Sequence, residues 1–231
     1  MSLAVRTIAD EQMDAPDLDA AVYAAVLRDL ASVNRVTLAR LPTLAFLEKM
    51  LRGKNSFRLL DVGFGAGDML RSIAGWAARR GKRAELVGID LNPGSAGVAA
   101  GLTPPGLPID YRAGDYRDLA GEGFDLIVSS LVTHHMSETE LIAFLGFMEA
   151  EARLGWMVND LHRLRLAHLG FPFLARAMRW HRIVREDGTL SIARSFRPAE
   201  WRALLARAGI DPRAARVVRR FPFRLCVERA R

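Results

Sequence analysis

The chain of 231 residues has a single cysteine, Cys226. That excludes an internal disulfide framework and a metal site built from several thiols. Within the apolar stretch FRLCVERAR the thiol reads as buried packing. No apolar run approaches the roughly 20 residues that cross a bilayer. The start, MSLAVRTIADEQMD, has no basic start followed by the long apolar block of a secretory signal. A soluble cytoplasmic protein is therefore expected. Internal repeats and low-complexity tracts are also missing. The formal charge is +7, nearly all of its positive side from arginine, yet no tight basic run carries interleaved aromatics. The excess reads as a compositional habit, and nucleic acid is not the favoured partner.

What the chain does have is apolar residue, at 50% of positions. A length of 231 residues then suits one domain with a sizeable core, spanning 1–231. From 18 to 51 apolar residues recur at helical spacing, and Pro42 is expected to divide two helices. Asp17 or Asp19 is positioned to cap the first. These helices make residues 1–53 an N-terminal cap. Strand-like and helical patterns then alternate. FRLLDVG, AELVGIDL, LPIDYRAGD, FDLIVSSLV and RLGWMVNDL read as five strands. Between them lie DMLRSIAGWAARRG, with Gly81 at its end, and a helix opened by a capping box of Ser137 and Glu140. Such alternation argues for an α/β, doubly wound, Rossmann-like parallel sheet. Residues 162–196 break the regularity and read as an inserted lid after strand five. A short helix ending at Gly209 and two closing strands hinged at Pro222 follow, giving a mostly parallel sheet of seven.

The stretch LLDVGFGAGDML places Gly63, Gly65 and Gly67 between a strand and a helix. Glycines let the backbone approach a ligand, and a helix N-terminus favours anions. A phosphate loop would need Gly-Lys-Ser/Thr, which is absent, and a dinucleotide loop a different glycine spacing. Asp61 and Asp68 flank the glycines and would repel a pyrophosphate. Carboxylates here suit a ligand with cationic and hydroxyl groups.

The pattern Asp61-x-Gly63-x-Gly65-x-Gly67 resembles the first motif of the class I S-adenosylmethionine-dependent methyltransferases. LVGIDLNP ends its strand in Asp90, beside Leu91, where an acid would accept from ribose hydroxyls. AGDYRDL places Asp115 and Tyr116 at the third strand's end, where the family's acid meets the adenine amino group and its neighbour packs on the ring. FDLIVSSLVTHHM, with Ser130, is similar to the fourth-strand motif. The resemblance runs from about 59 to 160 and implies S-adenosyl-L-methionine as cofactor. The cofactor-binding set is then Asp61, Gly63, Gly65, Gly67, Asp90, Leu91, Asp115, Tyr116 and Ser130.

A phenol or enol oxygen must lose its proton during methyl transfer, which calls for a base with pKa near neutrality. His135 and His162 follow two strand ends and are the catalytic candidates. His134 and Asp160 are expected at the substrate, with Asp160 orienting a histidine or binding substrate. No H-E-x-x-H type spacing is present, so no metal is expected. The block NDLHR…LAHLGF resembles a bacterial subgroup related to quinone methyltransferases and polyketide phenol O-methyltransferases. It implies a small aromatic hydroxyl substrate, with an alkyl tail allowed. Residues 164–184, rich in Leu, Phe and Arg, read as a lid in which Phe173 and Trp180 line the substrate pocket. That composition also leaves peripheral contact with an anionic membrane open. Three other functions compete: a binding protein that keeps the fold without catalysis, C-methylation of a quinol, and methylation of RNA or protein. Against the last stands SSLV, in place of the Asn-Pro-Pro-Tyr type that holds a planar amine. The sequence leaves oligomeric state undetermined.

Overall fold

The computed structural model describes residues 3–231. Seven strands form one sheet in the order β3-β2-β1-β4-β5-β7-β6. They are β1 (Ser56–Val62), β2 (Arg83–Asp90), β3 (Ile109–Ala113), β4 (Leu126–Ser130), β5 (Gly155–Leu161), β6 (Ala215–Arg220) and β7 (Arg224–Ala230). The first five are parallel; β7 runs antiparallel to β5 and to β6. The order reverses beside β1, so a crevice opens at the carboxyl ends of β1 and β4, where open α/β sheets bind ligands.

Side-chain alternation along the strands feeds two cores. Leu60, Ile127, Trp156 and Val158 face α5 (Glu138–Glu151) and α8 (Pro198–Arg207). Leu59, Leu86, Leu126 and Met157 face α2 (Arg40–Met50) and α3 (Asp68–Arg79). Cys226 lies in this second core, fully buried, and burial pushes its thiol up to about 12. A short helix, α4 (Pro93–Gly101), connects β2 to β3 and is capped by Asn92.

A third layer covers the crevice. It consists of α1 (Ala20–Val36), capped by Asp19, with α6 (Arg165–Ala177) and α7 (Arg182–Arg194). Val26, Val33, Ala175, Trp180, Ile183 and Val184 pack together there. One expectation needs correction. The break between α1 and α2 falls before Pro42, at 37–39, where Leu38 takes φ +53°. Pro42 sits in the first turn of α2, where its missing N–H costs no intrahelical bond. The irregular stretch 162–196 is largely α6 and α7. No helix among the described residues is long and apolar enough to cross a membrane.

Candidate active site

The glycine loop leaves β1 and turns into α3. Gly63, Gly65 and Gly67 all have positive φ, at +77°, +52° and +74°. A Cβ on Gly63 would fall 2.3 Å from a Val132 methyl, and one on Gly67 would fall 2.5 Å from the Tyr111 hydroxyl. Both conformation and space therefore demand glycine. The Gly65 N–H donates to Asp90 Oδ2 at 2.9 Å, and Asn92 N–H donates to Asp90 Oδ1 at 2.9 Å. Asp90 is thus pinned across the end of β2, facing the loop.

Asp61 is 1% exposed, and neither carboxylate oxygen has a hydrogen-bond partner in the protein. Burial pushes its pKa well above the usual carboxylate range, and the charges of Asp68 and Asp90 add to that. A buried acid without a donor is costly to keep charged. It calls for a ligand that brings a cation or a donor.

The loop forms one end of a cavity of about 730 Å³. Asp61, Gly63, Gly65, Asp90, Leu91, Tyr116 and Ser130 line it. Gly67 stands back as the residue preceding α3. Asp115 lies between two lining residues but is off the wall, its carboxylate held by Arg117 at 2.6 Å. Tyr116 packs edge-on against Phe144 and Phe147.

His134, His135 and His162 line the same cavity. The two neighbouring histidines stand with ring centres 4.3 Å apart, and each is fixed through Nδ1. His134 Nδ1 is 2.7 Å from Asp160 Oδ1, and His135 Nδ1 is 2.8 Å from Asp14 Oδ2. Asp160 also accepts from Thr133 Oγ1 at 2.5 Å and from the Leu161 N–H at 2.7 Å. Burial alone would raise its pKa, but His134 and these donors outweigh that and bring it down to about 2. Asp160 is therefore a positioning residue for His134 and is not on the cavity wall.

Burial also works to lower the His135 pKa. The hydrogen bond to Asp14 and the charge of Glu11 outweigh it, and the net shift is upward. His162 moves the other way, lowered by burial and then by Arg219, Arg197 and Arg163. Of the two catalytic candidates, His135 is the one with a carboxylate partner.

Glu11 and Asp14 are functional candidates that sequence reasoning missed. Glu11 is 4% exposed and accepts from Ser191 Oγ at 2.9 Å. Its oxygens lie 3.7 Å from His134 Nε2 and 3.8 Å from His135 Nε2. Glu11, His134 and His135 place ligand atoms within 4.8 Å of one another, the geometry a divalent cation would need. Spacing along the chain could not reveal this, because Glu11 arrives from the N-terminal segment. Arg194 already sets a guanidinium 3.9 Å from Glu11. That fixed positive charge opposes a second cation and suits a group that binds and releases a proton.

Two substrate-pocket assignments are corrected. Phe173 is 74% exposed on the outer face of α6, and Trp180 is buried in the third layer, its Nε1 donating to Ser32 Oγ at 3.2 Å. Neither lines the cavity. Helical phase is the reason: Ala167, Gly170, Phe171 and Leu174 share the inward face of α6.

Residues 59–155 match a family model described as a methyltransferase domain. Curated relatives carry the methyltransferase name as well. One, named a probable fatty acid methyltransferase in Mycobacterium tuberculosis, is 37% identical over 112 residues, 47% of this chain and 25% of the relative. A ubiquinone biosynthesis O-methyltransferase of Rhizobium etli is 29% identical over 169 residues, 71% of this chain and 63% of that one. The matches thus span a quarter to about three-fifths of those relatives' lengths. Among solved structures, human N-acetylserotonin methyltransferase superposes with TM-score 0.63 at 15% identity, covering 92% of this chain and 56% of that chain. The plantazolicin methyltransferase BpumL superposes with TM-score 0.62 at 14% identity, covering 92% and 96%. Those likenesses extend the methyltransferase fold over nearly the whole chain.

Proposed function

We propose that the protein is an S-adenosylmethionine-dependent methyltransferase acting on the hydroxyl of a small aromatic molecule. The observation that carries this reading is the continuity of one cavity from the Asp61–Asp90 end to the His135–Asp14 pair. At the first end the residues fit the cofactor: the glycine cradle admits close backbone approach, Asp90 suits ribose hydroxyls, and unpartnered Asp61 suits a cation. Bound there, the cofactor would supply an electrophilic methyl group on a sulfonium.

The rest falls to the chain's own side chains. Leu27, Leu30, Phe171 and Leu174 form apolar walls that exclude water and accept an aromatic ring or alkyl tail. His135 Nε2 takes the hydroxyl proton, and Asp14 stabilises the imidazolium through Nδ1–H. Glu11, facing the same ring, adds to that stabilisation.

Calorimetry is expected to show binding of S-adenosylhomocysteine. Asp90→Ala should weaken it by about 1–3 kcal/mol, the value of hydrogen bonds to a charged group. Binding of a nicotinamide dinucleotide, with none of S-adenosylhomocysteine, would reject the cofactor assignment. With labelled cofactor, methyl transfer should go to phenols or quinols and not to RNA or protein.

The inward phase of α6 gives a paired expectation. Phe171→Ala should raise KM for an alkylated phenol by about 1–3 kcal/mol, the scale of one lost apolar contact. Phe173→Ala should leave it unchanged. Equal KM values in the two variants would place the tail elsewhere.

A further inference from the structure

Five side chains among the described residues carry buried polar atoms without a partner, and three of them line the cavity: Asn34, Asp61 and Arg224. Asn34 leaves its Oδ1 free and Asp61 both carboxylate oxygens, so these two lack donors. Arg224 lacks acceptors. It is 2% exposed, and both its Nε and Nη1 are unpartnered, while Nη2 donates to Thr37 Oγ1 at 2.9 Å. A guanidinium N–H left without an acceptor is a charged donor suited to a carboxylate oxygen.

A guanidinium buried without an anion is an expensive group to keep. Its surroundings lean toward the cofactor end. Arg224 opens β7 opposite Leu161, and Thr37 follows α1, one turn after Asn34. Asn34 in turn donates to Asp68 Oδ2 at 3.3 Å, at the start of α3. Arg224 feels the charges of Asp160 and Asp68, yet neither makes a salt bridge with it. Burial pulls its pKa below the ordinary arginine value, the direction a bound anion reverses.

We propose that Arg224 is the carboxylate anchor of the cavity, donating to a ligand carboxylate from its unpartnered N–H groups while Asp61 and Asn34 receive that ligand's donors. The pairing of free acceptors with a free cation complements an α-amino-acid group, which offers an ammonium and a carboxylate together. The anchor rests on the reading of this cavity as a cofactor site. A carboxylate could come from the amino-acid end of the cofactor or from an aromatic acid substrate, and each source has its own arm in the test.

The first arm compares S-adenosylhomocysteine with its decarboxylated analogue by calorimetry on the full chain. If the cofactor supplies the carboxylate, the analogue binds about 10–100-fold more weakly to the unaltered protein, and Arg224→Gln abolishes the difference. The second arm saturates the protein with S-adenosylhomocysteine and compares a hydroxybenzoic acid with its amide. A preference for the acid that disappears in Arg224→Gln assigns the anchor to the substrate. Absence of a carboxylate preference from both arms in the unaltered protein overturns the anchor, whatever the variant does. So does a preference that survives Arg224→Gln. If neither S-adenosylhomocysteine nor its analogue binds, the cofactor reading falls and the anchor with it. Equal binding of the two, with no acid preference in the second arm, removes the anchor alone.

Discussion

Replacing His135 with asparagine is expected to lower kcat by roughly 10²–10⁴-fold, the usual loss on removing a general base. S-adenosylhomocysteine affinity should stay unchanged, because cofactor contacts lie at the other end of the cavity. The pH dependence tests the assignment more sharply. A base must be unprotonated to act, and the His135 pKa is raised. The kcat/KM profile should therefore rise with pH through a midpoint above the ordinary histidine value of 6.5. Asp14→Asn removes the hydrogen bond that opposes burial, so the midpoint should move down. If His162 were the base, the midpoint would lie below 6.5 from the outset, because burial and three arginines lower it. Full turnover in the His135→Asn variant would leave orientation and water exclusion as the source of the rate.

Asp160→Ala is expected to destabilise the fold by about 3–5 kcal/mol, since it removes one partner of a buried pair and strands the other. Thr133, His134 and the Leu161 N–H would all lose their acceptor. Chemical denaturation of the variant measures this directly. The carboxyl also makes stability depend on acidity. Its folded pKa of about 2 lies below the ordinary 3.8, so its contribution is complete above the unfolded value. It is lost as pH falls from about 4 toward 2, by an amount of about 2–3 kcal/mol. In the Ala variant that acid-sensitive component should vanish, flattening the midpoint-against-pH curve in this window. A variant with unaltered midpoint at neutral pH would show that His134 needs no buried partner.

The parts of the site that could be read from the sequence are those made by neighbours along the chain. Gly63, Gly65 and Gly67 belong to one turn, and its backbone demands are local. Asp90 and Ser130 end strands whose apolar runs declare them. What escaped reading is what the third dimension assembles. Glu11 and Asp14 reach the histidines from more than a hundred residues away. Arg224 sits in a stretch legible as a closing strand, yet nothing in FRLCVERAR says that its guanidinium turns toward α1 rather than solvent. Phe173 and Trp180 were misplaced for a different reason. Aromatic content marked the segment as substrate-facing, but the phase of α6 decides which side faces in. The spacing of Ala167, Phe171 and Leu174 carried that information.

The N-terminal segment lies across α7, with Glu11 bonded to Ser191 and the Met13 N–H donating to Asp187 at 3.0 Å. During synthesis Glu11 and Asp14 leave the ribosome long before α7 exists to receive them. They must wait while β1 to β5 assemble, and contacts of such long sequence separation form late because loop closure costs entropy before it is rewarded. The contact between Glu11 and Ser191 therefore forms late. A pulse-labelled hydrogen-exchange experiment during refolding should find protection in β1 and β4 preceding protection at Ser191.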